Sequence, residues 1–146
     1  MSVYLDNCCY NRPFDDQAQT RIHLESEAVL AILRACENGA LSILSSPVVR
    51  MEIDRISDGD RRGKVLALHS LATSNVALTE EIKRRAEELR AESSIRLMDS
   101  LHVASAEAGK AVAMLTTDDK LIKACAKMKL GVKVMNPVHF LLEATD

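Results

Sequence analysis

Aromatic side chains are almost absent from this sequence, which has two Phe, two Tyr and no Trp among its 146 residues. Proteins that bind nucleic acid by stacking bases need several exposed rings, so the composition argues against that class. Because 47% of the residues are hydrophobic, we expect a largely aliphatic core. Five Gly and three Pro are also few, which is typical of a folded chain and not of a disordered one.

Charge of one sign is not in large excess either. Nineteen Lys and Arg face 21 Asp and Glu, which gives a formal net charge of −2. The chain therefore lacks the overall positive field that drives nonspecific binding of nucleic acids. A nucleic-acid substrate would need a local basic patch or bound cations.

The length of the chain fits one domain over residues 1–146 that buries a core without disulfides.

The cysteines lack the spacing of a zinc site or a redox pair. They contain no C-x-x-C motif and stand at Cys8, Cys9, Cys36 and Cys125. We therefore expect buried free thiols. The amino terminus has no basic segment before an apolar stretch, and no apolar run is long enough to cross a bilayer. These features predict a protein of the reducing cytoplasm that has no membrane association.

Short apolar runs alternate with segments of helical periodicity along the chain. The expected strands are residues 3–5, 41–44, 75–78, 112–115 and 132–134. The polar stretch after the first strand is expected to be a loop, and Pro137 can open a terminal helix. This alternation predicts an α/β domain whose parallel sheet is covered by helices on both faces.

Acidic residues occur where such a sheet binds ligands, beyond the carboxyl ends of its strands. Asp6 follows the first expected strand directly, and Asp118 follows the fourth within a few residues. Glu52 lies at the border of the apolar stripe of its helix, where a partly buried carboxylate needs a cationic partner, a raised pKa or a metal ion. Asp99 opens another helix. Each acid taken alone could be a cap, turn or salt-bridge residue, but together they favour a cation site.

At these residues the chain resembles the PIN-domain nucleases, and more narrowly their VapC-like toxin branch. The resemblance covers nearly the whole chain, and its most specific part is the Asp-x-Leu-His-x-Ala core that begins at Asp99. The other matching parts are Val3–Asn7, Ser46–Glu52 and Leu115–Asp118. The resemblance implies a sheet in the order 3-2-1-4-5 and cleavage of RNA with Mg²⁺ or Mn²⁺.

The resemblance also implies a site. The metal-binding and catalytic residues would be Asp6, Glu52, Asp99 and Asp118, with Thr116 as a supporting polar residue. Family members usually have Ser or Thr after the first Asp, where this chain has Asn7, which can still hydrogen-bond a carboxylate or a phosphate. Asp119 duplicates Asp118, and we favour Asp118 as the ligand. Without metal, such clustered acids should raise the pKa of at least one member.

Basic residues near these acids have several interpretations. Arg12 could contact phosphate, or it could offset the acids in the metal-free protein. His102 follows Asp99 by one helical turn among small apolar residues, so we expect a packed, hydrogen-bonded histidine and leave it out of the catalytic set. The basic runs at residues 61–64 and 83–85 are more typical of solvated helix faces than of RNA-binding surfaces.

Two other functions fit part of the pattern. One is a catalytically silent PIN-like domain that acts as a protein-binding or RNA-binding module, against which the complete set of acids argues. The other is a receiver-like phosphoacceptor, but that class needs an Asp after the third strand, where this chain has Leu78-Thr79-Glu80. The family resemblance further implies the toxin of a toxin–antitoxin pair, with RNA as substrate, an antitoxin protein as partner and a homodimer as the assembly.

Overall fold

A five-stranded parallel sheet forms the centre of the computed structural model, which describes residues 1–144. The strands are β1 (Ser2–Leu5), β2 (Ser42–Ser45), β3 (Ser74–Asn75), β4 (Ala113–Leu115) and β5 (Lys133–Met135). Each neighbouring pair is parallel, and the strands lie in the order β3-β2-β1-β4-β5. This confirms the predicted α/β class and the order 3-2-1-4-5. The last two residues of the expected domain, 145 and 146, lie outside the described residues.

Eight α-helices connect and flank these strands within residues 1–144. They are α1 (Asn7–Asn11), α2 (Thr20–Glu37), α3 (Pro47–Asp54), α4 (Gly59–His69), α5 (Glu80–Glu92), α6 (Leu97–Ala108), α7 (Asp119–Ala126) and α8 (Pro137–Ala144), and a 3₁₀ turn covers Arg12–Phe14. Local sequence explains several starts. Ser46 accepts the backbone N–H of Val48 in front of Pro47, and Thr79 accepts the backbone N–H of Ile82.

Two elements differ from the prediction. The polar stretch after β1, expected to be a loop, contains helix α1, because burying Cys9 and Tyr10 on the core outweighs the turn preference of their polar neighbours. The third strand, expected over residues 75–78, is limited to Ser74–Asn75. Val76 still donates its N–H to the carbonyl of Ser45, but beyond it the apolar side chains pack on the core without extending the ladder.

The core is aliphatic, as the composition predicts, and β1 runs through its middle. Val3, Tyr4 and Leu5 are fully buried between β2 and β4. All four cysteines are free thiols, and three of them are buried. Within residues 1–144, no helix combines the length and apolar character needed to span a membrane. The backbone N–H of Asp6 donates to the carbonyl of Leu115 at 3.0 Å, which fixes Asp6 directly beyond the carboxyl end of β1.

Candidate metal centre

Five acidic side chains line one cleft of about 390 Å³ at the carboxyl ends of β1 and β4. One of them, Asp15, is paired with Arg12 and Arg61. The other four are Asp6, Glu52, Asp99 and Asp118. Asp6 follows β1, Asp118 follows β4, Glu52 lies on α3, and Asp99 lies in the first turn of α6. The fold therefore brings together acids from four separate parts of the chain, and Asn7 and Cys8 line the same cleft.

Polar side chains next to Asp6 hold its carboxylate in place. The hydroxyl of Thr116 donates to Asp6 Oδ2 at 2.9 Å, and the Cys8 thiol approaches the same oxygen at 3.4 Å. Thr116 Oγ1 also accepts the backbone N–H of Asp118 at 3.2 Å, so one threonine side chain ties two of the acids together. Asp6 Oδ1 faces the Nε2 atom of His102 at 3.5 Å. These contacts fix the Asp6 carboxylate in a largely buried position, since the residue is only 7% exposed.

Glu52 lies half-buried at the rim of the apolar face of α3, between buried Val48, Val49 and Ile53. Its partner is the fully buried His102, whose Nε2 forms a hydrogen bond with Glu52 Oε1. Asp6, Glu52 and His102 each have one potential metal-ligand atom, and these three atoms lie within 4.8 Å of one another. The three side chains thus form the tight part of the acidic cluster.

Burial and the charges of this cluster raise the pKa of Asp99. Burial and the negative charge of Asp6 raise it most, Asp118 and Glu52 add to the effect, and nearby His102 opposes it, so the pKa of Asp99 rises to about 6. The raised pKa agrees with the expectation that clustered acids without a cation cannot all ionise at their ordinary values. For His102, burial lowers the pKa, but the Glu52 hydrogen bond and the charges of Asp6, Glu52 and Asp99 outweigh burial and raise it.

Among the described residues, no lysine or arginine pairs with Asp6, Glu52, Asp99 or Asp118. Within residues 1–144, no Lys or Arg nitrogen forms an ion pair with any of the four carboxylates, and their only ion-pair partner is His102. Arg61 lines the cleft, but its guanidinium hydrogen-bonds Asp15 at 2.9 Å and the carbonyl of Phe14. Carboxylate oxygens that are clustered and have no Lys or Arg partner in the described residues fit a hard divalent ion such as Mg²⁺ or Mn²⁺.

Two residues that were possible supporting members lie elsewhere. Arg12 pairs with Glu25 at 2.9 Å and with Asp15 at 3.1 Å, so it offsets those carboxylates and not the four acids. Asp119 forms a bidentate ion pair with Arg21 at 2.7 and 2.8 Å, which lowers the pKa of Asp119. The structure therefore places Asp118, and not Asp119, at the cleft.

Asp118 combines two roles. Its Oδ1 accepts the backbone N–H groups of Lys120 and Leu121 at 3.0 and 3.2 Å and so caps α7. The capping interpretation and the cleft position are thus compatible, because the cap bonds engage one carboxylate oxygen. Asn7 Oδ1, which also lies at the cleft, accepts a hydrogen bond from Asn11 at 3.1 Å.

Sequence reasoning identified His102 as a packed, hydrogen-bonded residue, and this is confirmed, but it missed the partner. The spacing from Asp99 to His102 places both on one face of α6. Glu52, which His102 contacts, lies on α3, and no local spacing connects the two helices. Cys8 was also missed as a cleft residue because it was assigned to the group of buried thiols.

A parallel sheet in the order 3-2-1-4-5 with acidic residues at its carboxyl edge defines a class of open α/β proteins whose ligand site lies at that edge. The family model of the PIN domain matches residues 13–127, and the chain belongs to this family. The resemblance seen in the sequence is thereby confirmed. A comparison with curated proteins finds no match.

Solved structures share the fold. The VapBC2 complex from Rickettsia felis, bound to a DNA fragment from its promoter, has a TM-score of 0.64 at 16% identity, with 93% of this chain and 98% of that chain covered. FitAB bound to an IR36 DNA fragment gives a TM-score of 0.59 at 18% identity, with 94% and 96% covered. At these identities the similarity is one of fold.

Proposed function

We propose that this protein is a metal-dependent endoribonuclease that hydrolyses RNA phosphodiester bonds with Mg²⁺ or Mn²⁺. The observation that carries the proposal is the convergence of four carboxylates on one cleft without an ion pair to Lys or Arg in the described chain. Membership of the PIN domain family supports the same chemistry.

The electrostatics of the cleft require a cation for this reaction. Four carboxylates repel the phosphate groups of RNA, so an empty cleft opposes the approach of its substrate. Asp6, Glu52, Asp99 and Asp118 would hold the ion, which when bound lowers the pKa of water and stabilises charge on the phosphoryl group. Thr116 would keep the Asp6 carboxylate and the Asp118 backbone in place, because its hydroxyl bonds both. Buried His102 would face Glu52 and Asp6 from the protein side of the cluster.

RNA cleavage by the purified protein tests the proposal. We expect cleavage of a labelled RNA with Mn²⁺ or Mg²⁺, none with EDTA, and loss of cleavage in the Asp6→Asn, Asp99→Asn double variant. Asp54→Asn is the matched control, since Asp54 is an exposed acid on α3 that pairs with Arg50 away from the cleft. Absence of metal-stimulated cleavage in the folded protein would contradict the proposal and favour the silent binding module.

We further propose that the protein is the toxin of a toxin–antitoxin pair and works in a reducing cytoplasm. The fold shared with the VapBC2 and FitAB structures supports the first part, and four free cysteines support the second. Co-expression with the product of an adjacent small gene tests the pair: we expect co-purification and suppression of RNA cleavage. Light scattering tests the proposed homodimer, which has twice the chain mass of 16.1 kDa.

A further inference from the structure

A buried chain of hydrogen bonds leads from the start of α3 to the cleft. Ser46 Oγ lies 2.7 Å from the hydroxyl of Tyr4, and the same hydroxyl lies 2.7 Å from Nδ1 of His102. On its other side, His102 meets Glu52 through Nε2. Ser46, Tyr4 and His102 are each no more than 1% exposed, so water does not compete for these bonds.

The direction of this chain follows from its two ends. Ser46 Oγ accepts the backbone N–H of Val48, which leaves its hydroxyl hydrogen free to point at Tyr4. If Tyr4 in turn donates to Nδ1 of His102, the proton of the imidazole is on Nε2 and points at Glu52. If Nδ1 of a neutral imidazole instead carried the proton and donated to Tyr4, Nε2 would present a bare lone pair to the carboxylates of Glu52 and Asp6. That arrangement is repulsive in a buried site. The geometry therefore favours the Nε2–H form.

We propose that His102 is a positioning residue, which fixes the Glu52 carboxylate through an Nε2–H hydrogen bond and is itself oriented by Tyr4 and Ser46. This inference rests on the proposed function, because it assigns the role of holding one metal-binding acid in place. A glutamate side chain has several free torsions, and Glu52 lies half-buried at a cleft rim. The buried His102 donor would hold the Glu52 carboxylate in a single conformation that can bind the ion. Groups that hydrogen-bond metal-binding side chains in this way commonly change metal affinity by about 10- to 100-fold when removed.

Side-chain ¹⁵N NMR of His102 tests the hydrogen-bond direction directly. We expect the wild-type protein to carry a proton on Nε2, both in EDTA and after addition of Mg²⁺. A bare Nε2 in the metal-free protein would overturn the proposal. Loss of the Nε2 proton on addition of Mg²⁺ would also overturn it, since His102 would then bind the metal itself.

Mn²⁺ binding measured by calorimetry tests the consequence. We expect His102→Phe, which fills the space without a donor, to weaken Mn²⁺ binding by at least about tenfold. His102→Gln, which restores an N–H donor of similar reach, should recover part of the loss. Tyr4→Phe, which removes only the hydroxyl, should weaken binding by about threefold or more while His102 remains. Circular dichroism of each variant reports whether the fold is kept, and Tyr4→Phe carries the test if His102→Phe does not fold.

Tyr10→Phe is the matched control for Tyr4→Phe. Tyr10 is also fully buried, but its hydroxyl has no hydrogen-bond partner in the described chain. We expect wild-type Mn²⁺ binding from this variant.

In RNA cleavage at saturating Mn²⁺, Tyr4→Phe should lower kcat with little change in KM. Mn²⁺ affinity and kcat within twofold of wild type in folded Tyr4→Phe and His102→Phe would overturn the positioning role and leave the nuclease proposal intact. Absence of Mn²⁺ binding in the wild-type protein would overturn both.

Discussion

At the residue scale, Asp99 shows how the fold sets the chemistry of a single carboxyl group. Burial and neighbouring acids raise its pKa from an ordinary 3.8 to about 6. The folded state therefore holds the Asp99 proton more tightly than the unfolded state does. The resulting stabilisation is fully present below pH 4 and is lost as the pH rises through 6.

Asp99→Asn removes this pH dependence in the metal-free protein. Asn does not ionise, so between pH 4 and pH 8 the variant should gain about 1 kcal/mol of unfolding free energy relative to wild type, after solvent screening of a half-buried group is allowed for. Urea unfolding in EDTA at the two pH values measures this difference. Asp54→Asn, on an exposed part of α3, should show no such gain. A wild-type advantage that grows toward pH 8 would contradict the argument.

At the element scale, Glu107 connects three parts of the helical layer. It lies on α6, accepts hydrogen bonds from Arg85 of α5 at 2.8 and 3.2 Å, and accepts the backbone N–H of Gly131 at 2.7 Å. Arg85 also donates to the carbonyl of Lys129. Burial opposes ionisation of Glu107, but the Arg85 bonds and the Gly131 N–H outweigh it and lower the pKa of Glu107. The carboxylate thus holds α5 and the segment before β5 against α6.

Glu107→Gln should weaken this junction at neutral pH. A lowered pKa means that the stabilisation is present above the ordinary glutamate pKa and is lost as the pH falls through the folded value. We expect a loss of about 1–2 kcal/mol at pH 7 and a smaller difference near pH 3, measured by urea unfolding. Glu88→Gln is the control, because exposed Glu88 contacts the same Arg85 and should cost less than about 0.5 kcal/mol. Equal losses for both variants would refute the assigned role.

Helix and strand positions were predictable where local chemistry and burial agree. Ser46 and Pro47 mark the start of α3, and the predicted helix indeed begins there. Prediction was wrong at α1, where polar residues favour a turn while tertiary packing buries Cys9 and Tyr10 in a helix. It was also wrong for β3, since an edge strand gains pairing on one side only and ends after two residues. Both errors arise where packing with distant segments decides the local structure.

At the scale of the whole molecule, the strand order is what assembles the cleft. β1 lies between β2 and β4, so Asp6 faces the ends of both neighbours. The sequence alone placed Asp6 and Asp118 at this edge, because the rule for parallel sheets needs only strand ends. It did not place Arg12 against Glu25, since that ion pair depends on how α2 packs beside the 3₁₀ turn. Contacts within the sheet were therefore predictable from the sequence, whereas contacts between helices were not.

This assembly predicts that metal binding at the cleft stabilises the entire fold. The proposed metal-binding acids come from separate parts of the chain, and unfolding disperses them; they are Asp6, Glu52, Asp99 and Asp118. An ion that binds only the folded arrangement should stabilise the protein by about 2.7 kcal/mol at a concentration 100-fold above its Kd. For a chain of this size such a gain raises Tm by roughly 5–10 °C. Thermal unfolding with and without Mn²⁺ measures the shift.

Two neighbouring aspartates provide the sharpest control for this coupling. Asp118→Asn keeps the α7 cap, because an asparagine oxygen can accept the same backbone N–H groups, but it removes a charge from the cleft. Its Tm should therefore rise less with Mn²⁺ than that of the wild type. Asp119→Asn removes the same charge from a carboxylate that is bound to Arg21, so its Mn²⁺ response should match the wild type. Equal responses of the two variants would mean that Asp118 does not help to hold the ion, and the absence of any Mn²⁺ response in wild type would contradict the coupling itself.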